Sequence, residues 1–421
     1  MSTTHVIGAG LAGLAAALSL TKAGRSVVVY EAGPAAGGRC RSYFDKELGF
    51  RIDNGNHLLL SGNRAAKAYI TEIGAIERFT IPDRAVFPFV DLRTRARWAI
   101  RLNKGRIPWW ILHPGRRVPG TRVADYWRMA RITRFRDDTT VADSMRRGRL
   151  FWQLVEPLAI AALNTPTRQG LARLLGVVVR ETLMRGGAAC RPMLPKEGLS
   201  EALIDPVVAT LQARGAVIRF NHRIAGLTID GGRVAALRGP AETIPLEPGD
   251  SVVLAVPPWI ATDLLPGLVA PDSFEAILNI HFQHQAEPKG RLAEAGFIGL
   301  IGGTAEWVFL KQGHVSVTIS AANHMVDEPA ETIALAVWPN VVDALGLKPA
   351  LKDDMPPWRV VKERRATFAA TAEQDARRPQ AKTEIAGNMA LAGDWTATGL
   401  PATIEGAIKS GRSAADVILS A

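Results

Sequence analysis

The chain has 421 residues, of which 47% are hydrophobic and 22% charged, and this balance excludes an intrinsically disordered protein. Two cysteines exclude a disulfide framework and a cysteine-built zinc site; no metal is predicted, and a reducing compartment is expected. The net charge of +11 indicates an anionic partner, for which a membrane surface and a nucleic acid are the two candidates.

The amino-terminal apolar stretch predicts folded structure rather than a signal peptide. No basic residue precedes it, glycines interrupt it, and no segment approaches the ~20 apolar residues of a membrane-spanning helix. It predicts a strand, a Gly-x-Gly-x-x-Gly turn, a helix, and a second strand ending at an acid. Such a turn brings backbone and helix N-terminus close to a dinucleotide pyrophosphate, while the acid binds ribose hydroxyls. The predicted binding residues are Gly8, Gly10, Leu11, Ala12, Gly13, Glu31 and Ala32.

A glycine pair and a cation follow the ribose acid. Gly37, Gly38 and Arg39 resemble the second phosphate-binding loop of the amine oxidase and phytoene desaturase superfamily of flavoproteins. This resemblance implies FAD as the cofactor, with Arg39 supplying positive charge at the flavin-side phosphate.

Two polar turns further along the chain are candidates for the reaction site. The first contains Asn54, Gly55, Asn56 and His57, which are also predicted to bind the flavin cofactor. The second has Asn164 and Thr165 at the end of an apolar helix. His57 is the candidate acid because its ordinary pKa allows either protonation state near neutral pH, and packing is the alternative. Asn164 and Thr165 are predicted to orient a hydroxyl or the edge of the flavin. The alternative is that they only end the helix before a proline.

The segment 93–136 carries the excess charge of the protein. It holds 13 Arg and Lys residues against one acid, Asp125, and four tryptophans are interleaved with them. Tryptophan together with cations favours the headgroup layer of an anionic membrane. Because no nucleic-acid fold signature accompanies the pattern, no nucleic-acid partner is predicted; a solvated basic face remains the alternative.

The middle of the chain predicts a return to the cofactor domain. Two strands around a Gly-Gly turn precede a buried strand closed by prolines, and this module is typical of the same superfamily. Arg223, Ile224 and Val256 are the cofactor-binding candidates there. A second Gly-x-Gly-x-x-Gly run is absent from the sequence, so the flavin is expected to exchange electrons with an external donor.

The carboxyl-terminal segment predicts the second half of the flavin site. A short apolar strand leads to Gly393 and Asp394, and a helix follows a proline. In the superfamily the acid binds the ribityl hydroxyls, and the helix N-terminus stabilises negative charge on the reduced ring. The candidates are Gly393, Asp394, Gly399, Pro401, Ala402, Thr403 and Ile404.

Longer blocks narrow the resemblance. The segments 53–60, 157–166, 360–368 and 393–406 are similar to the squalene-associated FAD-dependent desaturases, which are bacterial hydroxysqualene dehydroxylases of hopanoid and squalene biosynthesis. The implied reaction removes the hydroxyl of hydroxysqualene and delivers hydride from reduced FAD to an allylic cation, giving squalene. A carotenoid-type desaturase or isomerase, an amine oxidase, and a non-enzymatic lipid carrier that holds FAD are the alternatives.

The predicted fold class is α/β, with a Rossmann-like FAD-binding domain and a discontinuous α+β substrate domain of the amine oxidase/phytoene desaturase type. Residues 1–75, 195–265 and 385–421 are assigned to the FAD domain. Residues 76–194 are expected to form a mostly helical region that docks on the membrane, and 266–384 a substrate-domain sheet. The expected location is cytoplasmic, with peripheral attachment to the inner membrane.

Overall fold

The computed structural model describes residues 2–420. The strands in this range are β1 (Thr3–Ile7), β2 (Ser26–Tyr30), β3 (Ser42–Asp45), β4 (Phe50–Asp53), β5 (Leu59–Leu60), β6 (Phe79–Thr80), β7 (Val86–Asp91), β8 (Arg97–Arg101), β9 (Pro192–Pro195), β10 (Val217–Arg219), β11 (Gly226–Asp230), β12 (Arg233–Arg238), β13 (Thr243–Pro245), β14 (Ser251–Leu254), β15 (Phe274–Phe282), β16 (Phe297–Ile301), β17 (Trp307–Lys311), β18 (His314–Ile319), β19 (Trp358–Phe368) and β20 (Met389–Leu391). The α-helices are α1 (Leu11–Lys22), α2 (Arg64–Glu72), α3 (Val123–Ala130), α4 (Glu156–Leu163), α5 (Ala172–Glu181), α6 (Asp205–Ala213), α7 (Pro258–Leu264), α8 (Arg291–Ala295), α9 (Ala330–Leu345), α10 (Ala372–Ala376) and α11 (Ile404–Leu419).

A parallel sheet gathers strands from three distant parts of the chain. Its order is β10-β2-β1-β14-β20, and all neighbouring strands are parallel. Alternate residues of the central strands enter two different cores, with Val6 and Val253 in one and Ile7 and Leu254 in the other. Burial on both faces explains why these strands are nearly continuous apolar runs in the sequence. The α/β Rossmann-like prediction is therefore confirmed.

The first and last long helices pack against each other at unusually short range. A Cβ built on Gly411 of α11 would lie 2.1 Å from the carbonyl oxygen of Ala12 in α1. Only glycine permits this approach, because any side chain would overlap the neighbouring backbone. The contact fixes α1 and α11 relative to each other, although about 390 residues of chain separate them.

A mixed sheet of seven strands forms the second body of the structure. Its order is β19-β15-β18-β17-β16-β7-β8, and one face packs on α9 through residues such as Leu278, Val317 and Trp338. The opposite face is polar on β15 and β18, where Asn279 and Thr318 lie, and aromatic on the strands beyond them. The aromatic side chains of this face are Phe89, Trp98, Phe297, Trp307 and Phe309, and they pack with helices α3 to α5 in one apolar cluster.

The expectation of a mostly helical region over 76–194 needs correction. Strands β7 and β8 lie in this segment and complete the seven-stranded sheet, with β7 pairing in parallel to β16. The alternation in 86–91 is weak because Pro88 interrupts it and the strand is buried on both faces, so the pattern resembles a short apolar run. Within residues 2–420 no helix is long and apolar enough to cross a membrane.

Candidate cofactor and substrate site

The first glycine turn is packed tightly on one side and open on the other. Gly8 has φ +104°, and a Cβ built there would lie 2.6 Å from Ala255 O; one built on Gly13 would lie 2.0 Å from Gly8 O. A Cβ built on Gly10 would meet no atom of residues 2–420 within 4 Å. The turn therefore needs Gly8 and Gly13 for its own packing, whereas Gly10 leaves space in front of the turn.

The start of α1 and the predicted ribose acid lie beside this space. Leu11 and Ala12 are the first residues of α1, so their backbone N–H groups have no acceptor within the helix. Glu31 accepts hydrogen bonds from Ala9 N at 2.9 Å and Gly33 N at 2.8 Å, which fixes its carboxylate next to the turn. Ala32 is exposed beside it. Carboxylate oxygens have further lone pairs, so Glu31 retains acceptors for ribose hydroxyls.

The second glycine loop lies directly against the first. Gly37 N donates to Ala9 O at 2.8 Å, and Gly38, with φ +56°, would place a Cβ 3.5 Å from the Cα of Gly10. Both loops thus flank the same open space. This arrangement fits a dinucleotide pyrophosphate between them, as both motifs predict.

An ion pair joins the two predicted halves of the flavin site. Arg39 donates to both carboxylate oxygens of Asp394, at 2.7 and 2.8 Å, and also donates to Ala366 O at the end of β19. Both bonds to the carboxylate come from one guanidinium nitrogen, Nη2, and hydrogen bonds between two charged groups at these distances are strong. The structure thereby brings together the residues that the sequence assigned to the phosphate and to the ribityl chain.

The carboxyl-terminal half of the site is held by the start of α11. Thr403 caps this helix by accepting a hydrogen bond from Gly406 N at 3.1 Å, and Pro401, Ala402 and Ile404 flank the cap. Gly393 has φ +154° and donates its N–H to Ser410 Oγ at 2.8 Å. The helix that the sequence assigned to the flavin is therefore fixed to the segment after β20 that bears Asp394. Gly399, with φ +74°, forms the turn between them.

The three mid-chain candidates occupy different environments. Arg223 is exposed, whereas Ile224 is buried in the second core of the parallel sheet. The backbone next to them does reach the cofactor side, because His222 N donates to Glu31 O at 2.8 Å. Val256 O accepts a hydrogen bond from Trp395 Nε1 at 3.0 Å. Backbone position, rather than side-chain chemistry, relates these residues to the site.

The polar turn after β4 connects the cofactor half to the seven-stranded sheet. Asn54 donates to Glu363 Oε2 at 3.2 Å and to Arg39 O at 3.4 Å. Asn56 donates to the hydroxyls of Ser316 at 2.7 Å and Thr318 at 3.1 Å. Asn56 Oδ1 is buried and finds no donor in residues 2–420, so the turn retains an acceptor for a bound group.

Asn279 on β15 is the residue that organises this turn. Its Oδ1 accepts hydrogen bonds from Asn56 N and from the hydroxyl of Thr318, and its Nδ2 donates to Asn54 O. A Cβ on Gly55 would lie only 3.2 Å from the same Nδ2, so Gly55 permits the close fit. Asn279 was not predicted as a site residue, because its signal in the sequence is one polar residue among the apolar residues of a strand.

His57 lies at the boundary between polar and apolar regions. Burial lowers its pKa to about 4, so the imidazole is neutral at physiological pH. The next residue, Leu58, packs against the aromatic cluster. This pKa disfavours the predicted role of His57 as a cationic acid, but a neutral ring still has one N–H donor to offer a hydroxyl.

Asn164 and Thr165 lie at the other end of β15. Asn164 ends α4 with φ +47°, donates to Glu275 O and the Thr367 hydroxyl, and accepts from Ala321 N. Thr165 donates to Leu163 O and accepts from Ala370 N. Because these protein contacts engage both polar atoms of the Asn164 side chain, they favour a structural role over the predicted catalytic one.

A further acid emerges only from the three-dimensional structure. Glu306, at the start of β17, accepts a hydrogen bond from Ser320 N at 2.7 Å, and burial raises its pKa to about 7. Glu156 in α4 adds like-charge repulsion. No sequence motif marks Glu306, because its burial results from the packing of α4 against the sheet.

Replacing Glu306 with glutamine should stabilise the protein only at higher pH. The folded-state pKa exceeds the unfolded value of 4.5, so the wild type loses stability as pH rises from about 4.5 through 7. Glu306→Gln should therefore unfold like the wild type at low pH and be more stable above pH ~7, by roughly 1–3 kcal/mol. Urea unfolding at both pH values measures this. Glu294→Gln, at an exposed carboxyl, is the control, and a Glu306→Gln effect independent of pH would contradict the expectation.

Comparison with known proteins agrees with the site. The flavin containing amine oxidoreductase family matches residues 11–286 and 311–419. Hydroxysqualene dehydroxylases from Rhodopseudomonas palustris and Zymomonas mobilis are 48% and 45% identical over the full length of this chain, covering 99% and 100% of those proteins. A zeta-carotene desaturase from Synechococcus elongatus is 26% identical over 243 residues, which is 52% of this chain and 50% of that protein.

Solved structures agree on the fold. An oxidoreductase from Methanosarcina mazei has a TM-score of 0.73 at 16% identity, covering 98% of this chain and 100% of that chain. Cyclohexylamine oxidase from Brevibacterium oxydans has a TM-score of 0.71 at 14% identity, covering 100% and 99%. The fold, the residues that fit FAD, and the full-length similarity lead to one conclusion: the chain belongs to the flavin containing amine oxidoreductase family and, within it, to the hydroxysqualene dehydroxylases.

Proposed function

We propose that this protein is an FAD-dependent hydroxysqualene dehydroxylase that converts hydroxysqualene to squalene for hopanoid or triterpenoid synthesis. Full-length identity of 45–48% to proteins of that name supports the proposal. The structural observation that carries it is the turn from Asn54 to Leu58, which links the flavin-binding half to a large apolar aromatic cluster. A long isoprenoid substrate requires this combination.

The overall reaction is a reductive loss of water. The carbon–oxygen bond breaks, the hydroxyl leaves as water after taking up a proton, and the resulting allylic carbon gains a hydride. FAD, when bound in its reduced form, supplies that hydride. The aromatic cluster holds the chain and excludes water, which would otherwise capture the cation.

The placement of His57 suits it to orienting the leaving hydroxyl. It immediately precedes Leu58, which packs against the aromatic cluster, and its turn is bound to Arg39 and Asn279. Because its ring is neutral, His57 donates a hydrogen bond to the substrate oxygen rather than delivering a proton from an imidazolium. The proton itself comes from another acid or from water.

The pH dependence of turnover distinguishes these roles of His57. With its pKa held at about 4 by burial, the rate should show no inflection near pH 6.5, and His57→Ala should lower kcat by about 100-fold while FAD content stays unchanged. A cationic acid would instead give a rate that rises as pH falls through 6.5. Rate profiles of wild type and variant decide between them, and an inflection near 6.5 that vanishes in His57→Ala would contradict the neutral role.

The electron donor and the location of the protein are further parts of the proposal. A single Gly-x-Gly-x-x-Gly run supports an external reductant for the flavin, since a built-in nicotinamide domain normally carries a second one. A substrate this apolar resides in a membrane, which supports a cytoplasmic protein attached peripherally to the inner membrane.

Product analysis tests the proposal against its nearest alternative. A carotenoid-type desaturase uses the same fold and a similar substrate but requires oxidised flavin. Purified FAD-loaded protein is incubated with hydroxysqualene and a chemical reductant, and in parallel with squalene or phytoene and an oxidant, followed by mass spectrometry of the lipids. Squalene from the first mixture alone is expected, whereas desaturated products from the second would favour the alternative.

A further inference from the structure

One surface of the substrate half combines exposed apolar side chains with cations. Ile107, Trp109, Leu112 and Trp127 have 61%, 58%, 52% and 67% of their surface exposed. Exposed cations surround these side chains. Single exposed apolar residues are common on protein surfaces, but a group of four that includes two tryptophans is unusual. The basic aromatic face, as we define it, consists of Lys104, Arg106, Ile107, Trp109, Leu112, Arg122, Trp127 and Arg128.

Buried neighbours hold the two tryptophans outward. Trp110 and Tyr126, each adjacent in sequence to an exposed tryptophan, pack edge to face with ring centroids 5.2 Å apart. The Tyr126 hydroxyl accepts a hydrogen bond from Val118 N at 2.9 Å. Since these anchors are fixed, Trp109 and Trp127 cannot turn inward without breaking the packing beneath them.

The loop that carries Trp109, residues 102–112, is fixed as well. Asn103 donates to the carbonyl oxygens of Gly105 and Ile107 and accepts from Trp110 N. A Cβ on Gly186 would lie 2.3 Å from Gly105 O, so a second segment supports the loop from behind. The face is therefore preformed, and binding a partner would cost little ordering of the backbone.

Most of the positive charge of this face is not neutralised within the protein. Of the 13 cations in 93–136, only Arg93 and Arg128 form ion pairs with acids in residues 2–420, with Asp91 and Asp125. Burial is the main cause that lowers the pKa of Arg116, and repulsion from the neighbouring cations Arg101 and Arg84 adds to it. An anionic partner would relieve this repulsion.

We propose that the basic aromatic face docks on an anionic lipid bilayer, with Trp109 and Trp127 in the headgroup layer and the cations on lipid phosphates. Indole rings and guanidinium groups prefer that layer. The apolar cluster begins directly beneath the face with Trp110 and Tyr126 and extends to Leu58, next to His57. Docking there would let an isoprenoid pass from the membrane toward the reaction site without crossing water. The exposed tryptophans and cations support docking independently of the proposed reaction, whereas the route for the isoprenoid rests on it.

Vesicle binding by the full-length protein tests this face. Co-sedimentation compares vesicles of phosphatidylcholine alone with vesicles containing phosphatidylglycerol, at low and raised salt. The wild type should bind the anionic vesicles, and this binding should weaken as the salt concentration rises. The Trp109→Ser/Trp127→Ser variant should bind the same vesicles with an affinity lower by about tenfold or more. The matched control is Leu335→Ser/Val269→Ser, because these residues are similarly exposed, at 56% and 59%, outside the face. The control variant should bind like wild type.

Three results would overturn the proposal. They are equal binding of wild type to neutral and anionic vesicles, unchanged vesicle binding of the tryptophan variant, and binding to single-stranded DNA that is tighter than vesicle binding at the same salt and is lost in the tryptophan variant, which would identify the face as a nucleic-acid surface. Turnover measurements in micelles and in vesicles distinguish a failure of the docking proposal from a failure of the proposed reaction. The tryptophan variant should consume hydroxysqualene normally in detergent micelles but slowly from vesicles, whereas a wild type inactive in micelles would count against the reaction only.

Discussion

Gly10→Ala should weaken FAD binding severely while leaving the folded protein intact. Gly10 has φ −74° and ψ 173°, which alanine adopts readily, and its Cβ would meet no atom of residues 2–420 within 4 Å. The new methyl group would instead occupy the space between the two glycine loops, where the pyrophosphate must approach the backbone. We expect an affinity loss of about 100-fold or more, equivalent to roughly 3 kcal/mol.

Two other glycines make this prediction specific. Gly13→Ala should fail to fold properly, because its Cβ would lie 2.0 Å from Gly8 O and α1 would have to move. Gly148→Ala, where the space is also open but far from the loops in sequence, should bind FAD normally. Flavin titration and thermal unfolding of the apoproteins give the two readouts. An apoprotein of Gly10→Ala that binds FAD like wild type would show that the pyrophosphate lies elsewhere.

The second large effect is expected at the ion pair between Arg39 and Asp394. Arg39→Met leaves Asp394, which is 8% exposed, without its cation. Unpaired buried carboxylates are costly, but Arg39 is itself about one-third exposed, so the expected loss of stability is only about 1–3 kcal/mol. FAD affinity should also fall about tenfold or more, because a charge-assisted contact at the phosphate is removed.

The double variant separates the two consequences. Arg39→Met/Asp394→Asn removes the orphaned charge and should regain much of the stability that Arg39→Met loses. It should not regain FAD affinity, because neither polar group is restored. Thermal unfolding of the apoproteins and flavin titration of all three variants measure this. Recovery of FAD binding in the double variant would mean that the pair only supports the fold.

The cofactor half was predictable from sequence because local motifs encode it. The backbone approaches other atoms so closely at Gly8, Gly13 and Gly37 that only glycine fits. Each of these glycines is part of a motif that can be recognised in the sequence. Two separate flavin motifs predicted that Arg39 and Asp394 belong to one cofactor site, although the sequence could not show that they bind each other. Such contacts depend on the packing of α1 against α11 at Gly411, which has no local signal.

The substrate half was less predictable because its features are non-local. In the sequence, Asn279 is an ordinary polar residue of a strand. Its role depends on the tertiary contact between β15 and the turn that contains Asn56. His57 was predicted to lie next to the site, but its neutral state follows from burial, which a sequence pattern does not reveal. Strand β7 was missed since its partner β16 lies about 200 residues away and its own pattern is short.

The most direct test of the account is an anaerobic single turnover. Protein carrying chemically reduced FAD, with excess reductant removed, is mixed with hydroxysqualene while the flavin absorbance is followed and the lipids are extracted. The account predicts that the oxidised flavin spectrum returns as squalene forms, with one squalene per flavin. Reduced flavin that persists beside unchanged hydroxysqualene, in protein shown to bind FAD, would contradict the proposed dehydroxylation.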